Sequence, residues 1–170
     1  MPSRKVLRRA ARRVDRAMEL FLGAGERLRQ SGSASDDGVS RPALLEAWAL
    51  QLHTLFDFFH PAAAARPDAV LAEHYFRAPE KWTRRLPRLT ARQRRRRATQ
   101  RDVLASLSYR RRARAPTWSE RDHRLVETRI RLFVNALSAR RRRWFPQTAR
   151  RLSAQMDLLD VLREPARAPG

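Results

Sequence analysis

Apolar residues recur along this chain at spacings of three, four and seven rather than in alternation, and that pattern predicts helices from end to end. Leu7, Ala10, Val14, Ala17, Phe21 and Leu28 share one face of a helix over 4–30, with Arg8, Arg9, Arg12, Arg13 and Arg16 elsewhere around it. Gly23 and Gly25 interrupt it and suggest a bend. The run 31–39, SGSASDDGV, reads as a flexible loop. Ser40 is a suitable N-cap, with Pro42 in the first turn of a helix over 41–60. That helix is the most hydrophobic segment, and Leu44, Leu45, Trp48, Leu52, Leu55, Phe56 and Phe59 should centre the core.

Pro61 ends it, and Asp68 is placed to cap a short helix through Phe76, with Val70, Leu71 and Tyr75 turned inward. Residues 77–90 hold Pro79 and Pro87 and no helical period, which predicts an extended crossing segment pinned by Trp82, Leu86 and Leu89. Thr90 is placed to cap a helix over 91–108 whose apolar face is Val103, Leu104 and Leu107. Thr117-Trp118-Ser119-Glu120 has the form of a capping box and opens a helix to about 143, striped by Val126, Ile130, Phe133 and Leu137. Pro146 breaks the chain before a last helix over 147–163 with Leu152, Met156 and Leu159. The tail 164–170 reads as disordered. No strand pattern competes with these elements. The expectation is an all-α fold, one domain over 1–163, as a roughly up-and-down bundle of four to five helices.

Composition narrows the chemistry. At 170 residues one ordinary core suffices, and with no cysteine there is neither disulfide nor thiolate metal site. No apolar run approaches the roughly 18 residues of a membrane span, and no secretory signal follows the charged N-terminus. A cytoplasmic location without a membrane span is the expectation. Basic residues number 38 against 17 acids, for a net charge of +21. Lysine occurs only at 5 and 81, so arginine supplies the rest. Heavy arginine, alanine and proline usage fits a GC-rich genome, but the excess of bases over acids implies attraction to polyanions.

The charge is unevenly placed. Residues 77–114 hold fifteen basic residues and two acids, whereas 36–73 hold six acids and two arginines. The densest block, Arg92, Arg94 to Arg97 and Arg101, repels itself along a helix, and Arg94, Arg95, Arg96, Arg97 and Arg101 with Arg110, Arg111 and Arg112 form the candidate nucleic-acid surface. Further clusters lie at Arg140 to Arg143 and at Arg150 and Arg151. Trp82, Tyr109, Trp118, Trp144 and Phe145 stand near these clusters as candidate stacking platforms. No zinc-finger spacing, helix-turn-helix or basic zipper accompanies them.

A second constellation is polar. Glu46, His53, Asp57 and His60 make one stripe on the greasy helix 41–60, and His53-x3-Asp57-x2-His60 has the spacing of metal ligands on adjacent turns. No further ligand is identifiable, so the expected reading is a polar face without metal or cofactor. No nucleophile elbow and no phosphate-cradling glycine loop is present.

Three blocks carry a family resemblance: LLEAWALQLHTLFDFF over 44–59, DAVLAEHYF over 68–76 with Trp82 after it, and LASLSYRRR over 104–112 with Trp118 after it. Together they resemble uncharacterised bacterial helical proteins similar to the HEPN superfamily, many of whose members are RNases of toxin–antitoxin and phage-defence systems. The resemblance implies a helical bundle and an RNase signature of Arg followed, after four to six residues, by His. Such a pair would stabilise a charged phosphorane and move a proton. None of His53, His60, His74 and His123 has an Arg at that spacing, and Ser106 stands where such proteins have a His before the LSY block.

The resulting expectation is a non-catalytic, HEPN-like protein that binds RNA, in preference to DNA, or another polyanion. Two alternatives stand beside it. One is a degenerate nuclease using Arg101, Arg110, His53 and Asp57 across helices. The other is a structural module that forms a homodimer or pairs with an acidic protein.

Overall fold

The computed structural model describes residues 1–30, 40–60, 69–86, 89–91, 93 and 117–163. Among them there are α-helices and one 3₁₀ turn, and no strand. The elements are α1 (Arg4–Gln30), α2 (Ser40–Phe59), the 3₁₀ turn (Ala72–Tyr75), α3 (Pro79–Arg85), α4 (Glu120–Ala136), α5 (Ala139–Arg142) and α6 (Pro146–Arg163). The all-α expectation holds, with two short helices raising the count among the described residues to six.

Pairings between distant residues fix the helix directions. Phe21 packs on Trp48 while Leu7 accepts a hydrogen bond from Tyr75, beside Phe58, so α1 and α2 run antiparallel. Trp48 meets His123, and Phe59 meets Phe133, so α2 and α4 run parallel. Asp15 meets Thr148 and Glu26 meets Gln155, so α1 and α6 also run parallel. The bundle therefore has α1 and α6 pointing one way, with α2 and α4 pointing the other.

The apolar stripe of each helix is turned to one core. Leu7, Ala17, Phe21 and Leu28 of α1 are buried, as are Trp48, Leu52, Leu55, Phe56 and Phe59 of α2. Val126, Ile130, Phe133 and Leu137 are buried too. Phe133 is the hub. Phe58, Phe59, Tyr75, Phe76, Trp82 and Phe145 all meet it edge-on, with ring centroids 5.2 to 5.9 Å away. Leu152 is buried as expected. Val103, Leu104, Leu107 and the burial of Met156 and Leu159 lie outside what is described.

Several boundaries differ from the sequence reading, each for a local reason. Residues 79–85 are helical rather than extended. Pro79 occupies the first turn, where its missing N–H costs nothing and its fixed φ suits a helix. Trp82, Leu86 and Leu89 do pin this segment in the core. The cap of α4 is Ser119, whose hydroxyl accepts from the Asp122 amide at 3.3 Å, not Thr117 two residues earlier. Glu120 does not reach back to Thr117, because Arg29 and Arg124 take its carboxylate.

Helix α4 stops at Ala136 rather than near 143. Leu137 turns to an extended conformation and drops its side chain into the core, while Arg142 donates to the carbonyls of Val134 and Asn135. A cation on the last carbonyls suits the negative end of a helix. Ser40 is already helical, so α2 starts at the residue expected to cap it. Thr90 caps as expected: its hydroxyl accepts from the Gln93 amide, and the Gln93 side chain accepts from the Thr90 amide. The expected loop 31–39, the cap Asp68, the helix beyond 93 and the tail 164–170 lie outside the described residues.

Candidate polyanion interface

The arginine block chosen from sequence, Arg94 to Arg97 with Arg101 and Arg110 to Arg112, lies outside the described residues. A different basic surface is described in full. Over its first thirteen residues α1 carries Arg4, Lys5, Arg8, Arg9, Arg12, Arg13 and Arg16, all exposed. Among the described residues none of the seven side chains makes a hydrogen bond or ion pair. The one acid in this stretch is Asp15, and it is buried. Its two oxygens accept from the backbone amides of Gln147 and Thr148 at 3.1 and 3.0 Å and from the Thr148 hydroxyl at 2.7 Å. Asp15 thus caps α6 from another helix and neutralises nothing on the surface.

The cations are badly placed for folding. Arg4, Lys5, Arg8 and Arg9 crowd the helix end where the macrodipole favours acids, and the first turn holds no acid. Arg4–Arg8, Lys5–Arg9, Arg8–Arg12, Arg9–Arg13 and Arg12–Arg16 are like-charge neighbours at i,i+4, each unfavourable by roughly 0.2 to 0.5 kcal/mol. Two other helices of the same composition obey the dipole. Helix α4 opens with Glu120 and Asp122, and α6 opens on the Asp15 carboxylate. Genomic preference for arginine explains the residue type but not this placement.

The C-terminal half of α1 is different. Arg151 of α6 forks onto Glu19 and reaches Glu26, which raise its already high pKa against the cost of burial. Arg29 joins Glu120 at 2.9 Å and Glu127 at 3.5 Å, and Arg131 joins Glu127 at 2.9 Å. The Arg29 bond comes first among the causes that hold the Glu120 carboxyl below its ordinary pKa. Carboxylates are consumed on this half, and the cation excess is left on the other. From Arg16 into the C-terminal half a groove of about 680 Å3 runs along α1 and α6, lined by Arg16, Glu19, Glu26, Gln147, Arg150, Arg151, Ala154 and Gln155.

The polar stripe of α2 is not brought together. Glu46 is exposed. His53 and Asp57 face each other at 3.4 Å. His60 is turned to α4, where Arg129 donates from Nε to its Nε2 at 2.6 Å and from the other end to the Leu125 carbonyl. Arg129 is 1% exposed, and burial lowers its pKa to about 10. In this Arg–His pair, joined by the fold across 69 positions, the guanidinium is buried while His60 is half-buried and lines a pocket of about 460 Å3 with Trp82 and Arg84. Among the described residues no cluster of three or more His, Asp or Glu could hold a metal. Two aromatics expected as stacking platforms, Trp82 and Phe145, are core residues, 3% and 0% exposed. Trp118 and Trp144 are half-buried, and Tyr109 lies outside the described residues.

The sequence reading left His123 unplaced. It sits on the apolar stripe of α4, three residues before Val126 and seven before Ile130, and that register is the signal that places it in the core. Its ring stacks on Phe21 at 4.6 Å, and its Nδ1 accepts from Trp48 Nε1 at 3.2 Å. The proton therefore lies on Nε2, facing Glu127 at 3.7 Å. Burial first, and the Arg29 charge second, lower its pKa to about 4. The unfolded chain takes up this proton near the ordinary histidine pKa of about 6.5, while the folded protein resists until about 4. Stability conferred here is complete above pH 6.5 and is lost as pH falls towards 4, by about 3 kcal/mol in all. Chemical unfolding at steps from pH 7.5 to 4 should show that loss, and His123→Phe should flatten most of it. An equal acid loss in the variant would assign the effect to other groups.

Among the described residues no helix is long and apolar enough to cross a membrane. No family model, curated protein or solved structure matches the chain.

Proposed function

We propose that this is a non-catalytic, HEPN-like helical protein that binds RNA or a similar polyanion through an arginine-rich surface. The observation that carries the reading is the N-terminal half of α1: seven exposed cations without partners among the described residues, set against both the helix dipole and one another. A polyanion relieves that repulsion, and arginine forks onto phosphate. An anionic bilayer is a poorer fit, since membrane helices bury an apolar face in lipid and that face of α1 is already in the protein core. The block at Arg94 to Arg97, Arg101 and Arg110 to Arg112 extends the same chemistry in sequence.

The test is binding of the nuclease-treated full chain to labelled single-stranded RNA, duplex RNA and duplex DNA over a salt series. Retained affinity near 0.15 M salt, with RNA ahead of DNA, is the expected result. Neutralising six to ten phosphates weakens binding by about 10³ to 10⁵ between 50 and 200 mM salt. Binding that is equal for all three and gone by about 0.2 M would leave only non-specific attraction and defeat the reading.

A further inference from the structure

Seen down its axis, α1 does not carry its cations as a line. At 100° per residue, Arg4 and Arg8 fall on one flank, Lys5, Arg12 and Arg16 along the crest, and Arg9 and Arg13 on the other flank. The fan covers about half the circumference and about 18 Å of axis. The remaining half is the core face, with Leu7, Ala11 and Met18 buried. A single strand presents one row of phosphates, which would satisfy one flank or the crest and leave the rest unpaired. A duplex presents two rows across a groove, so both flanks are met at once.

The surroundings point the same way. Proteins that hold single strands stack bases on aromatic side chains. The one aromatic of α1, Phe21, is fully buried. The groove beside the crest, which Arg16 and Arg150 both line, holds charged residues, glutamine and alanine, with no aromatic among the described lining. No Asn or Gln lies within residues 1–16 to pair with adenine edges, and the arginines, which can also fork onto guanine, are spread over half the circumference rather than gathered on one reading edge. Resting on the polyanion-binding reading above, we propose that the N-terminal half of α1, with Arg150 beside it, is a track for the phosphodiester backbone of a nucleic-acid duplex, gripped without reading its sequence. An α-helix with side chains is about 10 to 12 Å across, and the major groove of B-form DNA is about 12 Å wide. A-form RNA would meet the same cations from its wide minor groove.

The experiment compares the full chain with two variants, Arg8→Gln/Arg9→Gln/Arg12→Gln/Arg13→Gln and Arg94→Gln/Arg95→Gln/Arg96→Gln/Arg97→Gln. Ligands are a 20-base-pair DNA duplex, the same duplex as RNA, and their single strands, titrated at several salt concentrations. The α1 variant should melt no lower than the parent, because it removes repelling pairs. It should bind both duplexes more weakly and reduce the salt slope on DNA by about 3 to 4, which is about 0.9 per lost phosphate contact. Scrambling the duplex sequence should change nothing, and the two duplexes report which groove geometry fits better. Parent chain that binds no nucleic acid near 0.15 M salt overturns the general reading and this one together. Parent binding that only the Arg94 to Arg97 variant loses overturns the α1 track alone. Equal loss on single strands and duplexes in the α1 variant overturns the duplex assignment.

Discussion

Replacing Gly25 with alanine is expected to destabilise the protein by about 4 kcal/mol, above the usual cost of forcing a methyl group into a filled core because nothing around it yields. A Cβ at this position would overlap Cε1 and Nδ1 of the His123 ring. The ring has nowhere to go, since Phe21 stacks on it and Trp48 holds Nδ1. Nor can α1 retreat, because Arg29, one turn further on, is tied to Glu120 and Glu127 of α4. For a chain of this size the loss corresponds to a fall in Tm of about 8 to 16 °C, read by circular dichroism. The informative control is His123→Ala. Once the ring is gone the new methyl group has space, and Gly25→Ala should then cost under about 1 kcal/mol, a coupling of about 3. Equal costs in both backgrounds would show that another atom enforces the glycine.

Asp15→Ala should cost nearly as much, about 3 to 4 kcal/mol. The carboxylate accepts two backbone amides and a hydroxyl, and truncation leaves the buried Thr148 amide without that acceptor and its hydroxyl with only the Asp15 carbonyl at 3.4 Å. Asp15→Asn keeps one acceptor oxygen and should lose about half as much. Denaturant unfolding followed by tryptophan fluorescence resolves the series, with the m-value reporting any early release of α6. A loss below about 1 kcal/mol for Asp15→Ala would mean that water replaces the carboxylate and that the junction is wetter than its burial implies.

The apolar skeleton was legible because each helix announces itself by its own period. Leu7, Phe21 and Leu28 predict the buried face of α1, and Val126, Ile130 and Phe133 that of α4, without knowledge of a partner. What escaped depends on residues far along the chain. Gly25 reads locally as a helix breaker, yet α1 is unbroken there and the glycine answers to a ring 98 positions later. Thr117 and Ser119 are both plausible caps, and the choice falls to Ser119 once Arg29 withdraws Glu120. The stripe of Glu46, His53, Asp57 and His60 shared a face in sequence, but His60 is drawn off by an arginine of α4. The charge excess was plain from composition. Its misplacement on α1 emerged only when the fold showed which acids were already engaged, Asp15 above all.

The joint between Asp15 and Thr148 spans 133 positions, and Glu19 reaches Arg151 across 132. During synthesis α1 therefore waits for its last partner. At about 5 to 20 residues per second the interval is roughly 7 to 27 s. Over that time α1 can settle against α2, against Tyr75 of the 3₁₀ turn and later against α4, with Asp15 hydrated and its groove-facing side bare. Closure of the bundle by α6 is then a late, long-range step, the kind that slows folding more than it changes stability. Nascent chains halted before residue 146 should accordingly be open on the side where Asp15 and Glu19 will later find their donors.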